Sequence, residues 1–199
     1  MYLSICVASW PAMRFLFRYK AFGKEHLPRS GGYVLAANHT SNLDPWPLAY
    51  SIVFRRYVRF MAKRELFWFP LGWVLRGGGS FPVERKSLDR GAIETAVTLA
   101  QGGSVIGMFP EGTRRTKGLH KRYEARAKPG AALIALGAGV PLVPAAIAGT
   151  DRLAKLGPFR VRYGPPIPLD DLAGLNRVKA ARIATERLME AIGELEATF

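Results

Sequence analysis

PGAALIALGAGVPLVPAAIAGT, residues 129–150, is the longest uncharged run in the chain, and its reading decides the architecture. At that length it could on paper cross a bilayer. Gly130, Gly137, Gly139, Pro141, Pro144 and Gly149 break it, however, and divide it into a buried helix over 129–137, a turn, and a buried strand over 142–147. Val143-Pro144 inside that strand can only be structural. A helix feeding straight into an apolar strand is the unit of an α/β layer.

The same pattern recurs on both sides of this run. After the turn LPRSGG (27–32), residues 33–38 form a short apolar strand, and Asp44-Pro45 offers a cap and a first-turn proline for a helix over 45–54. Residues 57–62 alternate as a strand does, and 64–75 form an apolar helix ending at the glycines 77–79. Residues 80–83 suit an edge strand, because Pro82 cannot donate to a central ladder. Ser87 can cap a helix over 88–101, stopped by Gly102-Gly103. Strands follow at 104–109 and 159–163. The stretch 176–197 repeats Val178, Ala181, Leu188, Ile192 and Leu195 as a helical stripe. The expected fold is α/β: a single mixed sheet covered by helices on both faces.

The chain has 199 residues, enough for one domain with a core that needs no staples, and its lone Cys6 excludes a disulfide framework. It carries 29 basic and 15 acidic residues, a net charge of +14, beside 49% hydrophobic residues. That composition excludes a disordered basic tail and points to an anionic partner: nucleic acid, anionic lipid or a phosphorylated substrate. The charge is concentrated. Residues 55–90 hold nine basic and three acidic residues and 114–128 hold seven and one, which together supply 12 of the net +14. No metal is expected, since the histidines are scattered and no carboxylates cluster.

The opening MYLSICVASWPAM (1–13) is uncharged but too short to span, and its basic residues, Arg14, Arg18 and Lys20, follow the apolar run rather than precede it. This order argues against a cleaved signal peptide. A segment lying among lipid headgroups and an ordinary amphipathic core helix both fit it.

Two polar constellations follow apolar strands directly. In Asn38-His39-Thr40-Ser41-Asn42-Leu43-Asp44, an imidazole can take a hydroxyl proton near neutral pH, and a carboxylate can hold its far nitrogen. Five-residue spacing requires the polar turn to fold Asp44 back. A helix cap at Asp44 beside an unrelated loop histidine fits the same spacing. In Phe109-Pro110-Glu111-Gly112-Thr113-Arg114, glycine lets the backbone turn and arginine presents a planar fork suited to phosphate. A third block, GSFPVER (79–85), brings Arg85 to the end of the edge strand.

Taken together, NHTSNLD (38–44), GSFPVER (79–85), FPEGTR (109–114) and LVPAAIAG (142–149) resemble, in order and spacing, the four blocks of the glycerolipid acyltransferase family. Its bacterial 1-acylglycerol-3-phosphate acyltransferases are the nearest pattern. MAKRELFWFPLGWVLR (61–76) and KPGAALIAL (128–136) look like family segments between the blocks. The resemblance covers about residues 24–165. Pro82 and the Arg-rich insert 114–128 depart from it.

The resemblance implies an acyltransferase domain over 23–199 behind a membrane-interfacial segment over 1–22. It implies His39 as general base and Asp44 as its orienting partner. Lys63, Arg85 and Arg114 would clamp the acceptor's phosphate, with Glu111, Gly112 and Thr113 shaping that pocket. The implied reaction moves a fatty acyl group from acyl-CoA or acyl carrier protein to lysophosphatidic acid, with no cofactor beyond the donor. The implied place is the cytoplasmic face of an anionic membrane, peripherally or monotopically attached. Phe67, Trp68, Phe69, Leu71 and Trp73 could line an acyl pocket, sit in the interface or belong to the core. Two alternatives accompany this reading: the same chemistry on glycerol 3-phosphate or a lyso-aminolipid, and a non-catalytic basic domain binding nucleic acid or anionic membranes. Nucleic acid is the less expected partner, as neither zinc-finger spacing nor an RNA-binding aromatic signature is present.

Overall fold

Seven strands form one mixed sheet in the computed structural model, which describes residues 2–83, 90–112, 116–117, 121–122 and 127–199. The strands are β1 (Lys20–Phe22), β2 (Tyr33–Ala37), β3 (Val58–Lys63), β4 (Phe81–Val83), β5 (Val105–Met108), β8 (Leu142–Ala148) and β9 (Arg160–Tyr163), in the spatial order β1-β9-β8-β2-β5-β3-β4. A separate antiparallel ribbon pairs β6 (Thr116–Lys117) with β7 (Lys121–Arg122). The helices are α1 (Tyr2–Ala8), α2 (Pro45–Tyr50), α3 (Leu71–Gly77), α4 (Arg90–Gln101), α5 (Gly130–Ala138) and α6 (Arg177–Glu196).

β2 lies at the centre of the sheet, buried on both faces, which is why it reads as an unbroken apolar run. Val34 and Ala36 face α4, α5 and α6, and Tyr33, Leu35 and Ala37 face the core beneath α2. The uncharged run at 129–150 forms α5, a turn and β8, as its punctuation predicts, and no helix among the described residues is long and apolar enough to cross a membrane. Pro144 survives inside β8 because its carbonyl accepts from Gly164 N at 2.9 Å, so its missing N–H faces the residue where β9 has already ended. Pro82 lies in β4 at the free edge of the sheet.

Strand direction decides which loops can meet. β2, β3, β5 and β8 run parallel and share one carboxyl-terminal edge, whereas β9 runs antiparallel to β8 and β1 parallel to β9. The chain therefore enters β1 and leaves β2, β3 and β5 at the same edge.

Several elements differ from the sequence reading. The helix expected over 45–54 stops at Tyr50, because Ser51 bonds the Tyr163 hydroxyl at 2.7 Å and Ile52 N turns back to Ala49 O. Tyr163 in turn donates to the Leu48 carbonyl at 2.6 Å, and complete burial holds its phenol well above the usual tyrosine range. The helix expected over 64–75 is a 3₁₀ turn at Arg64–Leu66 and then α3, with Pro70 at the break. In α6, Val178 is exposed and the buried stripe runs through Ala180, Ala181, Ala184, Leu188 and Ile192. β1, inside the stretch 1–22 read as a membrane-interfacial segment, belongs to the sheet. Met13 and Phe17 are also buried, with Phe17 stacked on Phe159 at 4.2 Å. Ser87 lies outside the described residues.

Candidate active site

Where β2 ends, its ladder to β8 continues through a side chain. Asn38 is buried, and its amide accepts from Ile147 N (2.7 Å) and donates to Ile147 O (2.9 Å). A second donation reaches Glu196 Oε1 at 2.8 Å, fastening the end of α6. The amide thus stands in for a peptide group and lets the backbone of 39–44 leave the sheet without stranding its neighbour's polar atoms.

His39 emerges on the α2 side, its ring stacked on Phe109 at 4.3 Å between centroids, with Phe60 continuing the stack at 6.0 Å. Phe109 follows β5 and Phe60 belongs to β3, so the two neighbouring strands set the plane of the imidazole. Asp44 comes back to meet it through a turn closed by Asp44 N to Ser41 O, at 3.3 Å.

Asp44 occupies the cap position of α2 in backbone terms, yet its side chain makes no capping bond. Its Oδ2 instead accepts from His39 Nδ1 (2.8 Å), Thr40 N (2.7 Å) and Ser41 N (2.8 Å). Its Oδ1 accepts from Thr150 Oγ1 at 2.5 Å, while the Thr40 hydroxyl stands 3.3 Å from Oδ1 and 3.0 Å from Thr150 Oγ1. The carboxyl group is completely buried, and the His39 side chain is 12% exposed. Between helix cap and histidine partner, the geometry selects the partner. With Nδ1 donating to the carboxylate, the neutral ring carries its lone pair on Nε2.

The second constellation turns immediately beside the first. Gly112 N donates to Phe109 O at 2.9 Å, with Gly112 at φ +65°, and Glu111 is buried. Lys63 is the last residue of β3; its side chain, and the residues Arg85, Thr113 and Arg114, lie outside the described part of the structure. Among the described residues, no three His, Cys, Asp or Glu side chains come together as a metal site.

Thr150 is the residue that sequence reasoning missed. Its signal is positional: it follows Gly149 at the end of β8, and β2 and β8 run side by side to the same edge, so a hydroxyl there reaches whatever follows β2. Asn38 was visible in the first block, but its bonding to β8 requires the sheet order.

A family model described as Acyltransferase matches residues 18–148. The chain is 34% identical over 183 residues to the 1-acyl-sn-glycerol-3-phosphate acyltransferase of Bacillus subtilis, covering 89% of this chain and 87% of that protein. It is 32% identical to the enzyme of the same name from Streptococcus pneumoniae, over 77% of this chain and 58% of that one. Its fold is similar to the crystal structure of the 1-acyl-sn-glycerophosphate (LPA) acyltransferase PlsC from Thermotoga maritima. The TM-score is 0.70 and the identity 26%, over 98% of this chain and 79% of that one. With the four blocks in order, the expected sheet and a family match over most of its length, the chain belongs to the acyltransferase family.

Proposed function

We propose that the protein transfers a fatty acyl group from a thioester donor, acyl-CoA or acyl carrier protein, to the free hydroxyl of lysophosphatidic acid, giving phosphatidic acid. The observation that carries this reading is the buried Asp44 carboxylate holding His39 Nδ1–H at 2.8 Å, which leaves Nε2 to act as a base. The relatives' names support the acceptor. In the proposed step His39 Nε2 takes the acceptor's hydroxyl proton as that oxygen attacks the thioester carbonyl carbon. The tetrahedral intermediate expels the thiolate, which recovers the proton from the imidazolium. The C–O bond formed replaces the C–S bond broken, and no enzyme nucleophile or cofactor enters. Lys63, Arg85 and Arg114 would hold the acceptor's phosphate beside the Glu111–Thr113 turn. Nucleic acid has no part in the reaction.

A panel of acceptors offered with one acyl thioester tests the reading. Lysophosphatidic acid should exceed glycerol 3-phosphate and lyso-aminolipids in kcat/KM by at least tenfold. A preference for glycerol 3-phosphate, or no transfer to any glycerolipid, would overturn it.

The proposed place of work is the cytoplasmic face of an anionic membrane, peripherally or monotopically attached. Thioester donors are made in the cytoplasm, where the lone Cys6 also stays reduced. The N-terminal segment supports docking: beyond the buried Met13 and Phe17 it exposes Trp10 (50%) and Phe15 (68%). This segment feeds β1, and the exposed Trp68, Phe69 and Trp73 follow β3, so both flank the edge that carries His39. Deleting residues 1–20 would strip Phe17 and part of β1 from the core, so substitution is the cleaner probe. Trp10→Ser combined with Phe15→Ser should weaken co-sedimentation with phosphatidylglycerol vesicles by tenfold or more, since each aromatic buried in lipid contributes about 1.5–3 kcal/mol. Vesicle binding indifferent to both that pair and high salt contradicts the docking model.

A further inference from the structure

Lys128 approaches the Phe109–Gly112 turn from the start of α5. Its backbone N–H donates to Pro110 O at 2.8 Å, tying the helix entrance to the turn. Its side chain then runs across Gly112: a Cβ placed there would stand 2.7 Å from Lys128 Cδ and Cε and 2.8 Å from Nζ. Gly112 is favoured by its φ of +65°, and the bare Cα lets this lysine lie directly over the turn. Lys128 is exposed, and among the described residues its ammonium has no carboxylate or carbonyl partner. A flexible surface lysine ordinarily extends into water. This one lies along a turn whose first residue, Phe109, is stacked on His39.

We propose that Lys128 holds the phosphate of the acceptor and selects for it. The assignment rests on the acyl transfer to lysophosphatidic acid and adds to it a residue, the first of KPGAALIAL, to which the sequence reading gave no role. The geometric reason is the shape of the acceptor. In a lysophosphatidic acid the free hydroxyl and the phosphate sit on neighbouring carbons of the glycerol, so a hydroxyl at His39 Nε2 leaves the phosphate only a few bonds away. The turn is joined to His39 through Phe109, whose ring lies 4.3 Å from the imidazole between centroids, and this adjacency is the ground for placing the phosphate there. The phosphates of a coenzyme A donor are at the far end of the pantetheine arm from the thioester and fall outside that span. An ammonium is a compact charge with three donors, suited to a phosphomonoester that approaches from solvent.

Lys128→Gln removes the charge and keeps most of the stem, and Lys128→Arg restores the charge. Steady-state kinetics with lysophosphatidic acid, with uncharged monoacylglycerol and with varied acyl-CoA separate the possibilities. For Lys128→Gln, KM for lysophosphatidic acid should rise about tenfold or more, the worth of one charge-assisted hydrogen bond. The loss should fall on KM rather than kcat, the discrimination against monoacylglycerol should shrink by the same factor, and Lys128→Arg should recover most of it. An unchanged KM for lysophosphatidic acid overturns the assignment. So does a rise confined to the KM for acyl-CoA, which would make the bound phosphate the donor's, or an equal loss on both acceptors, which would make the lysine structural. Calorimetric titration of a short-chain lysophosphatidic acid without donor keeps the two proposals apart. Binding that weakens tenfold in Lys128→Gln supports the lysine even if wild-type protein acylates nothing, and that failure then falls on the reaction alone.

Discussion

His39→Ala should abolish measurable acyl transfer while leaving the protein folded. A positioned general base contributes about 10²–10⁴ in rate, and here no other described side chain replaces it, because the imidazole is the group that the Asp44 carboxylate holds in place. The fold should tolerate the change. The ring is partly exposed, and without it Asp44 still accepts from Thr40 N, Ser41 N and Thr150 Oγ1. The loss in stability is the stacking on Phe109 and one charge-assisted hydrogen bond, about 2–4 kcal/mol together. Thiol release from acyl-CoA in the presence of lysophosphatidic acid reads the first effect and thermal unfolding the second. A folded His39→Ala protein that turns over within tenfold of wild type means that the hydroxyl proton leaves by another route.

Much of this arrangement is legible in the sequence, for identifiable reasons. Strands such as 33–37 and 142–148 are buried on both faces, so their apolar runs are continuous and their positions follow from composition. The first and third blocks begin where β2 and β5 end, and the parallel strands bring those ends to one edge. What was not legible depends on partners distant in sequence. β1 is three residues with an exposed pattern, Lys20-Ala21-Phe22, and becomes a strand only because β9 lies beside it. The shortening of α2 depends on Tyr163, 112 residues from Ser51. Val178 has the spacing of a core position, but the buried face of α6 runs through Ala180, Ala181, Ala184 and Leu188 and leaves Val178 outside it. Thr150 stands just outside the four blocks, and Lys128 opens KPGAALIAL with no role of its own readable there. Their contacts with Asp44 and with the Gly112 turn exist only after β8 and α5 are laid against β2 and β5.

Asp44 gives the sharpest separation of catalysis from stability, through two substitutions that differ in what they leave behind. Asp44→Ala empties a fully buried position and strands two backbone N–H groups, the Thr150 hydroxyl and His39 Nδ1. Each buried donor left unmade costs about 1–3 kcal/mol, so several together approach the whole stability of an ordinary domain. That variant should be recovered poorly or melt far below wild type. Asp44→Asn keeps the shape and one acceptor oxygen. If that oxygen stays on Thr40 N and Ser41 N, the NH₂ group faces Thr150 Oγ1, which can reorient to accept, and the loop should hold with a loss of about 1–3 kcal/mol. Catalysis should suffer more. A neutral amide cannot stabilise the imidazolium that forms as the hydroxyl proton moves to Nε2, and it fixes the Nδ1–H tautomer only weakly. In hydrolases with the same carboxylate–imidazole relationship, the carboxylate-to-amide change costs about 10⁴ in kcat. A loss of about 10²–10⁴ in kcat, with KM for lysophosphatidic acid within about threefold of wild type, is therefore the expected signature of Asp44→Asn. Near-normal kcat in a well-folded Asp44→Asn protein would reduce Asp44 to an organiser of the 39–44 loop, and His39 would then need no charged partner to work as a base.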